Sequence, residues 1–393
     1  MIISLAFITI LGLIVDALFK KIKLPGLLGM ILLGIALGPF GFNILSEDLL
    51  FVSDDLRKLA LIIILIRAGL GIHKEALKKV GSSAIKMSFF PGLLEGFTLA
   101  FLSTWLFGLP FIEAAILGFI IAAVSPAVIV PQMLRLIDKE IGAKQGGPTL
   151  ILAGASIDDV FAITMFSSFV GLYTGSNQNI ALQILGIPIS ILLGVGMGIL
   201  FGIILILVYQ NFQMRDTKKV LILIGLAILL TAFESWVQDR VNIAGLLGVM
   251  TMGFVLMEKR SEISHRMASK LNSIWVLAEI VLFVLVGAQV NIFIALDAGF
   301  LGILFITMGL FARSIGVILA TWGSHFNWKE RLFFIIAYLP KATVQAAIGG
   351  IPLSLGIVSG DLILALAVLS ILFTAPLGAI GIEKTAHHLL ENQ

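Results

Sequence analysis

Two adjacent carboxylates, Asp158 and Asp159, interrupt a long apolar segment at GASIDDVFAI, residues 154–163. An ionised carboxylate in apolar surroundings is costly unless water, a counter-charge or a bound ion accompanies it. Carboxylate oxygens are natural ligands of small hard cations, and a buried pair of carboxylates can also hold a proton. The pair is therefore a candidate binding site for Na⁺ or Li⁺ and for protons, facing a water-filled cavity.

The same residues allow a structural alternative. Ser156 and Asp159 have the spacing of a capping box, which would make this the beginning of a helix. The preceding residues, TLILAGA, are apolar and would then be lipid-exposed coil, which a bilayer does not tolerate. We favour the ion site. Because adjacent helical residues point about 100° apart, the two carboxylates need not have the same role.

Among the other charges inside apolar segments, three are candidates for the same site. Glu95, in PGLLEGFTLAF, and Arg313, in LFARSIGVILA, are each alone among apolar residues. Opposite charges within a membrane usually pair, and arginine suits buried ion pairs, so the sequence predicts a Glu95–Arg313 salt bridge. Lys341 directly follows Pro340, where its ammonium could neutralise the carbonyl end of a half-helix or counter an aspartate.

The elements that position these charges must be membrane-spanning helices. The 393 residues are 59% hydrophobic and 12% charged, with a mean hydropathy of +1.11, whereas soluble domains are about 25% charged. The chain is therefore predicted to be an all-α polytopic membrane protein that contacts membrane lipid. We expect a single membrane-embedded domain over residues 1–393. Thirteen apolar segments are predicted as transmembrane helices: 2–19, 25–41, 57–73, 84–107, 111–135, 148–174, 180–209, 218–236, 243–258, 271–294, 299–322, 329–350 and 361–382.

Several functional classes are disfavoured. The chain contains no cysteine, which excludes disulfides and thiol chemistry. It has neither a phosphate-binding glycine loop nor a GxSxG motif, so we expect no enzyme and no cofactor. Its formal charge of +3 gives no reason to expect nucleic-acid binding.

The distribution of basic residues predicts the topology. Twenty of the 26 lysines and arginines lie after odd-numbered segments or in the C-terminal tail, whereas only Arg57, Lys58 and Arg240 lie after even-numbered ones. Basic residues concentrate in cytoplasmic connections. The sequence thus predicts a multi-pass protein of the cell membrane with its N-terminus outside and its C-terminus in the cytoplasm.

Two of the predicted helices are predicted to be broken within the membrane, because their prolines are flanked by polar residues. The fifth contains Pro126 and Pro131, and the twelfth contains Pro340. Each proline could be a tolerated kink, but matching breaks in two halves of a transporter indicate its binding site. The breaks are seven segments apart, an odd number, which predicts two inverted repeats, about 1–174 and 218–383, linked by the helix 180–209.

The strings SPAVIVPQML, GASIDDVFAIT and YLPKATVQAAIGG resemble the sodium/proton antiporters of the cation/proton antiporter-2 group. The chain resembles in particular the NHA-like branch and its bacterial relatives. The resemblance covers essentially the whole chain, without the long N-terminal extension of animal members. It implies an NhaA-like fold with two crossed discontinuous helices. It also implies a homodimer of interleaved core and dimer subdomains, in which the core moves like an elevator.

The resemblance further implies a role for each site residue. Asp159 becomes the main carrier of the cation and proton, with Asp158 beside it. Ser125 and Thr343 lie with Pro126 and Pro340 at the helix crossing, and Lys341 compensates the helix dipoles there. Transported Na⁺ or Li⁺ would bind at Asp159 and Asp158.

One departure from the family pattern bears on stoichiometry. Electrogenic relatives have a lysine that pairs with the first aspartate, where this chain offers Arg313. If Arg313 pairs with Glu95, Asp158 loses that partner and electroneutral exchange becomes the expectation. Two alternatives to Na⁺/H⁺ antiport remain open: K⁺/H⁺ antiport on the same fold, and Na⁺-coupled symport of an organic anion on a related inverted-repeat fold.

Overall fold

The computed structural model describes residues 1–22, 26–72, 74–174, 180–237, 243–290 and 299–390. All regular secondary structure in these ranges is helical. The helices are α1 (Ile2–Lys21), α2 (Gly26–Leu37), α3 (Glu47–Phe51), α4 (Ser53–Gly71), α5 (Lys74–Met87), α6 (Phe90–Leu106), α7 (Phe111–Ala122), α8 (Pro126–Asp138), α9 (Gly147–Tyr173), α10 (Ile180–Asn211), α11 (Asp216–Val237), α12 (Gly245–Lys259), α13 (Ser261–Ala288), α14 (Gly299–Thr321), α15 (Trp328–Ala337), α16 (Thr343–Ile348), α17 (Ile351–Ser354) and α18 (Gly360–Leu390).

In the described part of the chain, nine helical stretches are long and apolar enough to cross a membrane. The other predicted segments are helical as well, but α2 and α12 are short, the twelfth segment is split between α15 and α16, and α4 carries five charged residues. Within the described ranges the protein is thus an all-helical membrane protein with many apolar helices. The count of thirteen spans stays a prediction.

Several helices extend beyond the apolar segments that predicted them. α13 begins at Ser261 instead of residue 271, and α18 continues to Leu390 instead of ending at residue 382. Residues 291–294, at the end of the tenth predicted segment, lie outside the described ranges. Hydropathy marks only the apolar part of a helix, whereas the backbone hydrogen bonds continue into polar sequence without a break.

The helices form two groups of close neighbours. In one group, α2 and α4 pack against α13, and α12 packs against α4 and α10. In the other, α6 packs against α7 and α14, and α9 packs against α7 and α5. The second group carries the charged residues discussed below.

Glycines allow α2 and α13 to approach closely. A Cβ atom on Gly34 of α2 would lie 2.1 Å from the carbonyl oxygen of Val284, and one on Gly287 of α13 would lie 2.1 Å from that of Ile31. Small residues of this kind bring membrane helices into van der Waals contact. The crossing has no room for a methyl group on either side.

Gly287→Ala is therefore expected to destabilise the protein. The methyl group must push the two helices apart, and overpacking of this kind costs about 1–3 kcal/mol. Thermal unfolding of the purified protein in detergent measures the effect. Gly225→Ala in α11 is the matched control, because no heavy atom lies within 4 Å of its added Cβ. Equal unfolding temperatures for the two variants would contradict the predicted close contact.

Two membrane segments are unwound where prolines predicted a break. α7 ends at Ala122 and α8 begins at Pro126, while α15 ends at Ala337 and α16 begins at Thr343. Proline lacks the N–H that would continue a helix and disfavours helical conformation in the residue before it. Pro131 lies inside α8 without ending it. Of the three prolines that predicted a break, Pro126 and Pro340 therefore lie at interruptions of the helical backbone, and Pro131 does not.

The two unwound segments contact each other directly. The backbone N–H of Ser125 donates to the carbonyl oxygen of Pro340 at 2.9 Å, and all residues from Ala122 to Pro126 are buried. Broken backbone at membrane depth is stable only where protein groups or water satisfy it. Here each break supplies hydrogen-bonding groups to the other, which fixes the point where the discontinuous helices meet.

Candidate ion-binding site

The aspartate pair lies in the middle of a continuous helix. α9 runs from Gly147 to Tyr173, so no helix begins at Ser156 and the capping-box alternative is wrong. Asp158 is completely buried, whereas Asp159 is of intermediate exposure. The pair therefore sits at membrane depth with its two members in different surroundings.

Arg313 of α14 connects the pair to the rest of the site. Its Nη1 donates to Glu95 Oε2 at 2.7 Å, and its Nη2 donates to Asp158 Oδ2 at 3.0 Å. All three side chains are at most 1% exposed. The guanidinium has several donors in a planar fork, which suits it to bridging two carboxylates. Arg313 is thus shared between Glu95 and Asp158, and the two pairings considered from the sequence occur together.

Lys341 supplies a second cation to the same glutamate. Its Nζ donates to Glu95 Oε2 at 2.6 Å, and its backbone N–H donates to Thr374 Oγ1 at 2.9 Å. Lys341 and Thr374 are both fully buried. The ammonium therefore makes its close contact with Glu95, whereas the sequence had suggested a helix end or an aspartate. Thr374 of α18 holds the unwound backbone in place.

The carbonyl end of α7 is satisfied by side chains from other helices. Arg313 Nη1 donates to the oxygen of Ala122 at 2.5 Å. Gln345 Nε2 donates to the oxygens of Ile120 at 3.0 Å and Ala123 at 2.8 Å. The last carbonyls of any helix lack partners within the helix, and in a membrane they need substitutes. Arg313 and Gln345 thus take the position at this helix end that the sequence assigned to Lys341.

Gln345 and Thr374 were missed as site residues in the sequence. Gln345 lies in the YLPKATVQAAIGG string, two residues after Thr343. A polar amide side chain beside a broken helix was the signal that could have identified it as a site residue. Thr374 lies in an apolar helix with no local feature that distinguishes it. Its contact with Lys341 depends on the packing of α18 against the break.

The two aspartates differ in their partners. Asp158 Oδ2 accepts hydrogen bonds from Arg313 and from the backbone N–H of Val124 at 3.0 Å. Asp159 makes no ion pair with any residue that the structure describes, and its Oδ1 is buried without a hydrogen-bond partner. Asp158 is therefore held in place by two donors, whereas Asp159 is not committed to a cation among the described residues.

The site contains three carboxylates and two cationic groups. Glu95, Asp158 and Asp159 face Arg313 and Lys341, so the fully ionised cluster has one negative charge in excess. One monovalent cation or one proton neutralises it. Interactions between such charges are strong because little water screens them.

Two hydroxyl groups lie at the helix crossing. Ser125 Oγ and Thr343 Oγ1 are 3.4 Å apart, and both residues are buried. They flank the contact between the unwound segments that Pro126 and Pro340 create. Hydroxyl oxygens at such a position can accept a small cation or water.

Comparisons with known proteins identify relatives over nearly the entire chain. The family model described as sodium/hydrogen exchanger, transmembrane, matches residues 3–386. Human sodium/hydrogen exchanger 9B2 is 34% identical over 390 residues, covering 94% of this chain and 70% of the relative. Human sodium/hydrogen exchanger 9B1 is 32% identical over 372 residues, covering 91% and 71%.

A solved structure has a similar fold. The structure of the sodium proton antiporter MjNhaP1 from Methanocaldococcus jannaschii aligns with a TM-score of 0.79 over 100% of this chain and 98% of that one. The sequence identity is 21%, so this likeness concerns the fold.

Proposed function

The chain belongs to the sodium/hydrogen exchanger family, and on that premise we propose that it exchanges Na⁺ or Li⁺ for H⁺ at Asp158 and Asp159. Members of this family are transporters and not enzymes, and the many apolar helices make the chain a multi-pass membrane protein. Within the family, the sequence strings around the breaks and the aspartate pair favour the NHA-like branch with bacterial relatives.

The observation that carries the proposal is the unequal partnering of the two aspartates. Asp158 is anchored by Arg313 and by Val124 N–H, whereas Asp159 is without an ion pair in the described residues. A carrier group must release its ligand in each cycle, so a carboxylate that is not committed to a fixed cation is suited to the role. Asp159 then binds the cation or the proton, and Asp158 contributes charge and position.

The charge balance favours electroneutral exchange. The ionised site has one negative charge in excess, which one Na⁺ or one proton neutralises. Arg313 stays with Glu95 and Asp158 in either state and need not release a proton, because a guanidinium remains charged under all ordinary conditions. One cation then moves in one direction for each proton in the other.

We assign the transport cycle to movement of the group that contains α6, α7, α9 and α14 against the group that contains α2, α4, α12 and α13. The helices pack mainly within each group, which supports an elevator-like motion of a core subdomain against a dimer subdomain. The inverted repeats, the homodimer and the placement of the N-terminus outside belong to the same proposal. Their support is the spacing of the two breaks, the family resemblance and the distribution of basic residues.

Purified protein in liposomes tests the proposed exchange. Vesicles with an acidic interior and a trapped pH-sensitive dye should become alkaline inside when Na⁺ or Li⁺ is added outside. K⁺ at the same concentration should have little effect. A response to K⁺ equal to that to Na⁺ would make the protein a K⁺/H⁺ antiporter. A lack of response to all three cations would contradict the proposal.

The proposed stoichiometry has a test of its own. In 1:1 exchange the net flux stops when the Na⁺ ratio across the membrane equals the H⁺ ratio, whatever the membrane potential. Valinomycin and K⁺ gradients set the potential, and the pH at which net flux ceases is measured at several Na⁺ ratios. We expect no displacement of this pH by the potential. A displacement that grows with the potential would show that more than one proton moves per Na⁺.

A further inference from the structure

Tyr338 places a buried hydroxyl beside the aspartate pair. It is fully buried at the C-terminal end of α15, immediately before the unwound segment of residues 339–342. Its ring lies under the Arg313 guanidinium, with the Cζ of Arg313 5.3 Å from the ring centroid. Its Oη has no hydrogen-bond partner among the residues that the structure describes. A buried tyrosine hydroxyl normally has a hydrogen-bond partner, so the unpartnered Tyr338 hydroxyl calls for an explanation.

The Tyr338 hydroxyl lies against the surface of α9, on the side of the helix that carries Asp158. A Cβ atom on Gly154 would lie 2.2 Å from Tyr338 Oη, which places the hydroxyl directly against the Gly154 backbone. Gly154 is four residues before Asp158, so the two share one face of the helix. Helical side chains tilt toward the N-terminus, and the Asp158 carboxylate therefore leans toward the level of Gly154.

A second glycine, Gly92 of α6, lies against the Asp158 carboxylate. A Cβ atom on Gly92 of α6 would lie 3.1 Å from Asp158 Oδ1, tighter than an ordinary contact. Asp158 Oδ1 is buried and, like Tyr338 Oη, has no hydrogen-bond partner within the described part of the chain. Each of these two oxygens lies against a glycine, which leaves space beside it at the helix surface.

Resting on the antiport function proposed above, we propose that Tyr338 is a specificity-determining residue whose hydroxyl oxygen is a ligand of the transported Na⁺ or Li⁺. The cation loses its water shell when it enters the buried site, and neutral oxygens must complete its coordination. The carboxylates supply charge, and the Tyr338 hydroxyl supplies a neutral oxygen at a fixed distance. The aromatic ring also keeps Arg313 in its forked position between Glu95 and Asp158.

Tyr338→Phe removes the hydroxyl and keeps the ring under Arg313. We expect the apparent KM for Na⁺ to rise about tenfold, the size of one interaction between a polar group and a charge. The ratio of the KM values for Li⁺ and Na⁺ should change as well, because the two ions differ in size. The maximal rate at saturating Na⁺ should change less than the KM does. Exchange assays in liposomes and Na⁺-dependent thermal stabilisation in detergent measure these quantities.

Gly154→Ala provides a matched variant that acts on the same hydroxyl from the opposite side. Its methyl group would collide with Tyr338 Oη at 2.2 Å and would also lie tightly against Met87 Cβ at 3.0 Å, while the Cζ of the tyrosine ring, at 3.5 Å, allows ordinary contact. We expect Gly154→Ala to raise the KM for Na⁺ as Tyr338→Phe does. In the Y338F background the same change should raise the KM little further and should destabilise the protein less.

The outcome that overturns the proposal is a Tyr338→Phe variant with an unchanged KM for Na⁺ and Li⁺, whatever its rate or pH profile. A failure of the proposed function is distinguishable, because the unchanged protein would then show no Na⁺-dependent exchange or stabilisation at all. A structural role alone would lower the unfolding temperature without moving the ratio of the two KM values.

Discussion

Asp159→Asn is expected to reduce Na⁺- and Li⁺-dependent exchange to the level of empty liposomes. Asparagine has nearly the same shape but can neither carry the negative charge nor bind and release the proton. Asp159 makes no ion pair in the described residues, so its replacement leaves no cation unpaired. The variant should therefore fold, with an unfolding temperature equal to or above that of the unchanged protein, and Na⁺ should no longer stabilise it.

Asp158→Asn is the matched comparison for this variant. Its amide oxygen can still accept hydrogen bonds from Arg313 and from Val124 N–H, but the charge that Arg313 faces is lost. We expect slower exchange with altered cation selectivity, and a measurable loss of stability. Dye-based exchange and Na⁺-dependent thermal stabilisation distinguish the two variants. Full activity of Asp159→Asn, or complete loss with Asp158→Asn alone, would reverse the assignment of carrier and anchor.

Arg313→Ala is expected to cause a severe loss of stability. The guanidinium contacts Glu95, Asp158 and the carbonyl oxygen of Ala122, all in the buried interior. Its removal leaves two buried carboxylates with too little positive charge and one helix end with an unsatisfied carbonyl. Breaking a buried ion pair from one side costs about 3–5 kcal/mol. Thermal unfolding in detergent, together with the yield of folded protein, measures the loss.

Arg266→Ala is the control, because it also removes one arginine charge and one ion pair, but at an exposed position. Arg266 donates to Asp216 at 2.9 Å, but it is 54% exposed, and exposed ion pairs contribute about 0–1 kcal/mol. Asp158→Asn in the R313A background should restore part of the lost stability, because Asp158 loses its cation with Arg313 whereas Glu95 keeps Lys341. If Arg313→Ala were no more destabilising than Arg266→Ala, the buried network would not hold the core together as described.

Features with a local physical cause could be predicted from the sequence. Pro126 and Pro340 interrupt helices because the missing N–H and the fixed φ act on their immediate neighbours. Pro131 shows the limit of this reasoning, since it lies inside α8 without breaking it. The membrane class followed from the apolar segments, and helix ends were misjudged because hydropathy does not detect where hydrogen bonding stops.

The sequence by itself determined that charged groups lie in apolar helices and must find partners there, since burial of an unpaired charge is too costly. Only the tertiary structure decided which groups pair. Arg313 contacts Glu95 and Asp158, which are 218 and 155 residues away, and Lys341 contacts Glu95 across 246 residues. No periodicity connects such positions, because helix packing brings them together. The fork of Arg313, the support of α7 by Gln345 and the position of Tyr338 all depend on that packing.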